Sequence, residues 1–400
     1  MRKALIGLVV LLAVAIAVPF VVPMSSYLPR LAALASAKLG QPVSIQDLKL
    51  AILPTPRALA SGLVIGKRQE IRVEEVEIVP ELSSLFSERW AIRLLRARKI
   101  ELKEAALPIA FGISKSDVPD PYEVRRVELR EVRLFHPALS LPPLDVQADL
   151  GERYRLEHAR LEIEGGVLDL ALRPGESKAT EISVAGTLYG GRVDLRGTLE
   201  AGRAWDVAGT LELAGVDLAP LQRIVKKPVR LTGNVDAHMT WSAEARTADR
   251  LLDAAAMDGS FQVHDGAYHG VDLSKAAQLA AARASGDATR FDEFKGVLEL
   301  RGRQVKISRL CVRAPALIAG GNLEIAADQK LSGKLSVAVA KTGGFIGVPV
   351  SLSGTVADPS VKPTTGYTIG AVVGTLILPG IGTGLGASAA SAIEGSSTCD

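Results

Sequence analysis

Aromatic residues, net charge and cysteine are all scarce in this chain. Phenylalanine, tryptophan and tyrosine together make up 4% of the 400 residues, whereas hydrophobic residues make up 48%. The interior must therefore be built mainly from aliphatic side chains. The formal net charge is only +3, and a surface that binds nucleic acid normally needs a clear basic excess. We therefore do not expect nucleic acid to be a partner.

Motifs for catalysis, phosphate binding and metal binding are also missing. The five histidines form no His-Glu-x-x-His pattern, and the sequence has neither a Gly-x-Ser-x-Gly elbow nor a Walker motif. Gly382-Thr-Gly-Leu-Gly-Ala387 fits a loose dinucleotide fingerprint, but it lacks the βαβ frame and the acidic residue that should follow. We therefore expect that the protein is not an enzyme and that it needs no cofactor or metal ion.

The two cysteines, Cys311 and Cys399, leave their pairing open. A disulfide between them would require an oxidising compartment. Cys399 lies in a C-terminal tail, and chain termini are poorly ordered unless they are tied down. Two unpaired cysteines are therefore the favoured alternative.

The N-terminus carries the signature of a membrane anchor. Residues 4–24 contain no charge and follow Arg2 and Lys3. A helix of this length is about 31 Å long, which matches a hydrocarbon core of about 30 Å. A cleavable signal is the alternative, but the apolar run continues beyond its cleavage site at Ala15-Ile16-Ala17. We therefore predict a retained transmembrane signal anchor over residues 1–24, with the N-terminus in the cytoplasm and the main body exported.

Most of the remaining chain alternates apolar and polar residues, which is typical of strands with one apolar and one solvated face. About 18–20 strands are predicted, which is more than one ordinary sheet contains, and Gly190-Gly191 predicts a tight hairpin turn. Short helices are predicted at residues 27–40, 219–225, 247–257 and 273–284. The predicted fold is mainly β with few helices. The N-terminal transmembrane helix is followed by an elongated, curled antiparallel sheet that forms an aliphatic groove.

The clearest alternation, between Ile182 and Leu213, supplies the candidate groove residues. They are Val184, Leu188, Val193, Leu195 and Leu199, which we call the groove candidates. Their spacing puts them on one face of two strands, whereas Asp194 and Arg196 fall on the other. The sequence does not decide whether this apolar face lines an open groove or is sealed as a core.

Five segments are predicted along the chain. Residues 112–121 are rich in turn-forming residues and mark the best internal boundary. The apolar, glycine-rich tail is expected either to lie in a membrane as a hairpin or to pack into the mouth of the strand array. The segments are the anchor at residues 1–24, an N-terminal β-region at 25–111, a central strand array at 122–258, a C-terminal β-region at 259–362 and the apolar tail at 368–393.

Several apolar motifs follow the order and spacing of a known family. They are Leu39-Gly-Gln-Pro-Val-Ser-Ile45, Leu48-Lys-Leu50, Gly62-Leu-Val-Ile-Gly66 and Ile100-Glu-Leu102, followed by Gly270-Val-Asp-Leu273, Phe291-Asp-Glu-Phe294, Val348-Pro-Val350 and Gly354-Thr-Val356. On these motifs the chain resembles the AsmA family of bacterial envelope proteins, to which the bridge-like lipid-transfer proteins are related. The resemblance makes residues 25–111 and 259–362 AsmA-like N-terminal and C-terminal regions.

The resemblance implies a protein of the bacterial inner membrane whose periplasmic body handles glycerophospholipids for outer-membrane biogenesis. Lipid transfer, or its regulation, would need no reactive residue, because acyl chains partition into an apolar groove at about 0.8 kcal/mol per CH₂. Twenty strands about 4.8 Å apart reach about 96 Å, so outer-membrane or periplasmic partners are expected to complete a bridge. The alternative is an assembly or scaffold factor for outer-membrane proteins, which binds no lipid and recruits its partner by strand addition.

Overall fold

The computed structural model describes residues 27–86, 90–106, 122–364 and 399. Its internal gaps lie at residues 138, 152–155, 176–178, 202–203, 227–228, 248–249, 252, 271–287, 316, 342–343 and 357. The predicted anchor, the apolar tail and the helix predicted at 273–284 lie outside the described residues. The described part is mainly β, with 21 strands and two α-helices, and neither of these helices is long and apolar enough to cross a membrane.

The chain divides into two compact units, one formed by residues 1–173 with 224–226 and the other by residues 174–223 with 227–400. The division falls inside the segment predicted as a central strand array. Helix α1 (Leu28–Leu39) opens the first unit and ends at Gly40 in the left-handed conformation (φ 61°), as predicted. The strands of this unit are β1 (Val43–Ser44), β2 (Asp47–Ala51), β3 (Arg57–Ile65), β4 (Ile71–Pro80), β5 (Trp90–Lys103), β6 (Tyr122–Val124), β7 (Arg126–Phe135), β8 (Leu144–Leu150), β9 (Leu156–Ile163) and β10 (Gly166–Pro174).

The first unit is an antiparallel ladder with one parallel step. Strands β3, β4 and β5 pair antiparallel, and so do β7, β8, β9 and β10. Strand β5, however, pairs parallel with β6 and β7, whereas the sequence predicted antiparallel pairing throughout. A parallel pair needs a long crossover connection, and residues 104–121 supply that length. Short 3₁₀ helices at Leu82–Phe86 and Glu104–Ala106 follow β4 and β5.

In three strands of this unit the alternation of apolar and polar residues is interrupted at one point. The apolar side chains before and after the interruption still lie on the same face. The interruption consists of two consecutive charged residues, Glu74-Glu75 in β4, Arg98-Lys99 in β5 and Arg130-Glu131 in β7. Lys99 and Glu131 have positive φ (51° and 54°), and the pairing of β7 with β8 shifts register between Leu129 and Val132. A β-bulge inserts one extra residue into a strand, so Leu129 and Val132 contact the same core although three positions separate them.

The polar face of the first unit is crossed by a row of paired charges. Arg96 in β5 donates a hydrogen bond of 2.8 Å to Glu77 in β4 and another of 2.8 Å to Glu128 in β7. The three side chains are only 28%, 16% and 17% exposed, respectively. The hydrogen bond with Glu128 raises the pKa of Arg96, whereas burial opposes that rise. These contacts connect three adjacent strands.

We expect Arg96→Ala to destabilise the protein by about 1–2 kcal/mol, because it removes the cation beside the partly buried Glu128 and leaves Glu77 with only Arg57, at 3.6 Å. Urea denaturation followed by circular dichroism measures the loss. The matched control is Arg160→Ala, which removes a pair of 3.0 Å with Asp169 whose partners are 51% and 41% exposed. Exposed pairs contribute little, so the control should unfold like the parent. Equal destabilisation by the two changes would contradict this role for Arg96.

The second unit contains helix α2 (Leu218–Ile224), which confirms the helix predicted at 219–225. The prediction of a helix at 247–257 is wrong for the residues that the structure describes there. Arg250 N–H donates to the Thr247 carbonyl at 3.1 Å in a turn between two long paired strands, and Ala256 and Met257 already belong to the second of these strands. The strands of this unit are β11 (Thr180–Leu188), β12 (Gly191–Ala201), β13 (Trp205–Asp217), β14 (Leu231–Ala245), β15 (Ala256–His269), β16 (Ala288–Arg301), β17 (Gln304–Ala314), β18 (Leu317–Ile325), β19 (Leu331–Lys341), β20 (Gly344–Gly354) and β21 (Pro359–Pro363).

Each strand of the second unit pairs antiparallel with the next, from β11 to β21. One row of directly opposed residues crosses all eleven of these strands and is apolar throughout; we call it the apolar row. Its members are Val184, Leu195, Leu211, Met239, Gly259, Leu298, Ile307, Leu323, Gly333, Leu352 and Val361. At about 4.8 Å per strand, its ten intervals span about 48 Å. The unit therefore has one continuous apolar face.

The hairpin between β11 and β12 turns one residue earlier than predicted. Leu188 pairs with Gly191, which leaves Tyr189 and Gly190 as a two-residue loop with φ of 47° and 83°. Two positive φ values are the geometry of a type I′ turn. Gly191 lies instead in the strand, where a Cβ atom would stand 2.4 Å from the backbone nitrogen of Val216. The first glycine therefore serves the turn and the second serves a close backbone contact.

Cys311 and Cys399 form a disulfide with a Cα–Cα distance of 5.2 Å, which corrects the expectation that they are unpaired. Cys311 is buried in β17. Arg313 also donates a hydrogen bond of 3.3 Å to the carbonyl of Cys399. Cys399 is thus tied to the sheet by two contacts. The prediction failed because it assumed that this end of the chain was untethered.

Candidate functional site

The five groove candidates lie together on one face of β11 and β12. They are Val184 and Leu188 in β11 and Val193, Leu195 and Leu199 in β12. Leu195 lies between Val184 and Leu211 of the neighbouring strands. Val193 is buried and the other four side chains are partly buried, whereas Arg196 on the opposite face is exposed and binds both carboxylate oxygens of Asp194 at 3.0 and 3.1 Å. The structure therefore brings the candidates into one apolar surface that solvent still reaches.

Trp241 in β14 belongs to the same face. It pairs with Gly209 in β13, which in turn pairs with Gly197 in β12. A Cβ atom on Gly197 would stand 2.9 Å from Cζ2 of Trp241, so the glycine leaves room for the indole ring. The indole Nε1 atom is buried without a hydrogen-bond partner. Trp241 is thus an aromatic residue set into the aliphatic surface close to the groove candidates.

The same face contains an apolar cavity of about 300 Å³. Ile307, Leu323 and Leu352 of the apolar row line it, whereas none of the groove candidates does. The remaining apolar lining residues are Leu231, Phe291, Phe294, Leu310, Val312, Ile325, Leu331, Leu335, Val356 and Pro359. None of these lining residues was predicted as a site residue from the sequence, although strands β16 to β19 show the same alternation of apolar and polar residues that identified β11 and β12.

The polar residues that line the apolar cavity are Gln222, Arg230, Tyr268 and Thr289. Strand pairing brings two of them together, because Tyr268 pairs with Thr289 on one side and with Leu231 on the other. Gln222 accepts hydrogen bonds from the backbone N–H groups of Arg230 (2.9 Å) and Leu231 (3.2 Å), which ties α2 to the start of β14. Arg230 is the only charged residue among the described residues that line the cavity. The cavity is therefore aliphatic and aromatic, with a cationic, polar end.

Burial raises the pKa of the Tyr268 hydroxyl, and the nearby charge of Arg230 opposes that rise. The hydroxyl therefore stays protonated at neutral pH and can donate a hydrogen bond. The Arg230 guanidinium itself donates to the His269 carbonyl at 3.5 Å. Two hydrogen-bond donors, one of them charged, thus stand at the polar end of an apolar space.

The opposite face of the second unit holds a broader depression of about 730 Å³ whose lining carries both charge signs. Its carboxylate Asp236 contacts Nε2 of His264 at 3.0 Å and accepts a hydrogen bond of 2.7 Å from the Gly215 N–H. Across the described ranges, no three His, Cys, Asp or Glu side chains come together in a way that could hold a metal ion. Some of its charged side chains are paired at the surface, such as Glu212 with Nδ1 of His238 at 3.4 Å, and the apolar face remains the candidate functional site.

The comparison with protein-family models gives one match, to the AsmA family, over residues 129–307. This segment comprises 179 of the 400 residues and contains all five groove candidates and Trp241. The predicted resemblance to the AsmA family is thereby confirmed over this segment. No curated protein and no solved structure matches the chain significantly.

Proposed function

Because residues 129–307 match the AsmA family, we propose that this chain is a non-enzymatic protein of the bacterial envelope that handles glycerophospholipids for outer-membrane biogenesis. Its task would be lipid transfer or the regulation of transfer. The observation that carries the proposal is the apolar row, which continues over eleven strands and remains partly exposed at Leu195 and Leu211. Soluble proteins rarely expose a large continuous apolar surface unless it binds something.

The chemistry of the apolar row suits a ligand that moves. Its members are aliphatic side chains and glycines, apart from one methionine, and they offer no directional hydrogen bond to an acyl chain. Each buried CH₂ group contributes about 0.8 kcal/mol wherever it lies along such a surface. The free energy of a bound acyl chain should therefore change little from one strand to the next. A surface of this kind can hold a lipid without fixing its position.

We also propose that residues 1–24 anchor the protein in the inner membrane and that its main body lies in the periplasm. The disulfide between Cys311 and Cys399 supports this location, because disulfides persist in oxidising compartments such as the periplasm and are rare in the cytosol. The proposed partners are phospholipids, the inner membrane, and outer-membrane or periplasmic proteins that complete a bridge.

Native mass spectrometry of the full-length protein, extracted in mild detergent, tests the proposed function. We expect the protein to carry added masses that correspond to glycerophospholipids. Bare protein under the same conditions would contradict the proposal and would favour the scaffold alternative, in which the sheet binds a protein partner and no lipid.

A further inference from the structure

The apolar cavity differs from the rest of the apolar face because one end of it is charged. The groove candidates and the apolar row contain no ionisable residue, so a lipid lying along them meets only apolar side chains. At the cavity, Arg230 and Tyr268 stand beside an aliphatic lining. An amphiphile that enters its apolar part would therefore bring its polar end close to a cation.

Hydrogen bonds to its backbone groups fix the position of Arg230. Gln222 holds the N–H groups of Arg230 and Leu231 through one side-chain oxygen, and its amide nitrogen donates to the Leu218 carbonyl at 3.1 Å. The guanidinium group contacts the His269 carbonyl at the end of β15. Arginine binds phosphate oxygens through two parallel N–H groups, and the Tyr268 hydroxyl can supply a further donor.

The size of the cavity limits what it can hold. About 300 Å³ is the lower end of the range for small-molecule sites, which runs from about 300 to 1,000 Å³. This volume suits part of one acyl chain rather than both chains of a phospholipid. Among the described residues that line the cavity the charged side chain is the cation Arg230 and none is a carboxylate, so both charge and shape favour an anionic amphiphile that inserts one chain.

We propose that the apolar cavity is a phospholipid-orienting site, in which one acyl chain fills the space between Phe294 and Leu352 and the lipid phosphate binds Arg230. This inference rests on the proposed function, because it specifies where a handled glycerophospholipid stops and which way its headgroup points. Arg230 then acts as a positioning residue that fixes the direction in which the headgroup points. The apolar row itself has no charged side chain that could do so.

The test compares two lipids with identical acyl chains, phosphatidylglycerol and diacylglycerol, of which only the first carries a phosphate. Full-length protein in detergent is titrated with each lipid, and the bound fraction is measured by native mass spectrometry. We expect Arg230→Ala to weaken the binding of one phosphatidylglycerol molecule about tenfold, the usual effect of losing one charge-assisted hydrogen bond, and to leave diacylglycerol binding unchanged. Tyr268→Phe should give a smaller loss for phosphatidylglycerol alone.

The matched control is Arg290→Ala, since Arg290 is exposed in β16 next to the buried Thr289. This change should alter neither lipid's binding. Equal weakening of both lipids by Arg230→Ala would show a structural role and overturn the inference. Unchanged phosphatidylglycerol binding would also overturn it and would assign the cavity to another occupant, such as a segment of this chain or a second copy. Failure of the parent protein to bind either lipid would instead overturn the proposed function itself.

Discussion

Leu195→Asp is expected to reduce phospholipid binding at least tenfold while the protein remains folded. Leu195 lies between Val184 and Leu211 on the apolar face, and its side chain is only partly buried. In the lipid-free protein, the new carboxylate can therefore still reach water. Beneath an acyl chain it would be buried without a partner, which costs several kcal/mol. Bound phospholipid and the thermal melting temperature of the same sample measure the two effects.

The matched control for this change is Ser183→Asp. Ser183 is exposed on the other face of β11, directly opposite Arg196 in β12. The control adds the same carboxylate one strand away from Leu195 and should leave lipid binding nearly unchanged. If Leu195→Asp unfolds the protein and the parent binds no lipid, the apolar face is a sealed core and the groove interpretation is wrong.

Cys399→Ser is expected to destabilise the protein by about 2–4 kcal/mol. The disulfide joins residues separated by 88 positions, and in the chain-entropy model a cross-link that closes a loop of this length stabilises by about 4–5 kcal/mol at most. Cys399 is the better position to change, because Cys311 is buried in the sheet and its substitution would also disturb packing. Urea denaturation of the oxidised full-length protein measures the difference.

Reduction of the parent protein provides the control for Cys399→Ser. A reducing agent should lower the stability of the parent to that of the variant and should leave the variant unchanged. Identical unfolding of the oxidised parent and the variant would contradict a stabilising disulfide.

Much of the fold could be predicted because it depends on local patterns. Period-two alternation identified the strands of the second unit, and Gly40 identified the end of α1, since a left-handed residue there favours glycine. The bulges were missed although they leave a trace. Two consecutive charged residues, such as Arg98-Lys99, interrupt the alternation of apolar and polar residues, and a one-residue insertion restores it. The parallel pairing of β5 with β7 left no local trace, because it depends on how a long connection returns.

The candidate site could be predicted only in part, for a related reason. The groove candidates lie on two successive strands joined by a two-residue turn, so alternation alone places them on one face. The apolar cavity is assembled from distant residues, since strand pairing brings Tyr268 beside Thr289 and both beside Leu231. The disulfide is of the same kind, because nothing near Cys399 in the sequence indicates that it reaches β17. Contacts between distant residues follow from strand register, which alternation by itself does not specify.

The most direct test of the central claim, that acyl chains lie on an open apolar face, uses Trp241 as the reporter. The chain has three tryptophans, so Trp90→Phe combined with Trp205→Phe leaves the fluorescence of Trp241 alone. Phospholipid with brominated acyl chains quenches an indole only on contact. We predict strong quenching by brominated phospholipid, none by the same lipid without bromine, and loss of quenching when Leu195→Asp is added. Equal Trp241 fluorescence with both lipids would show that acyl chains do not reach this face and would contradict the claim.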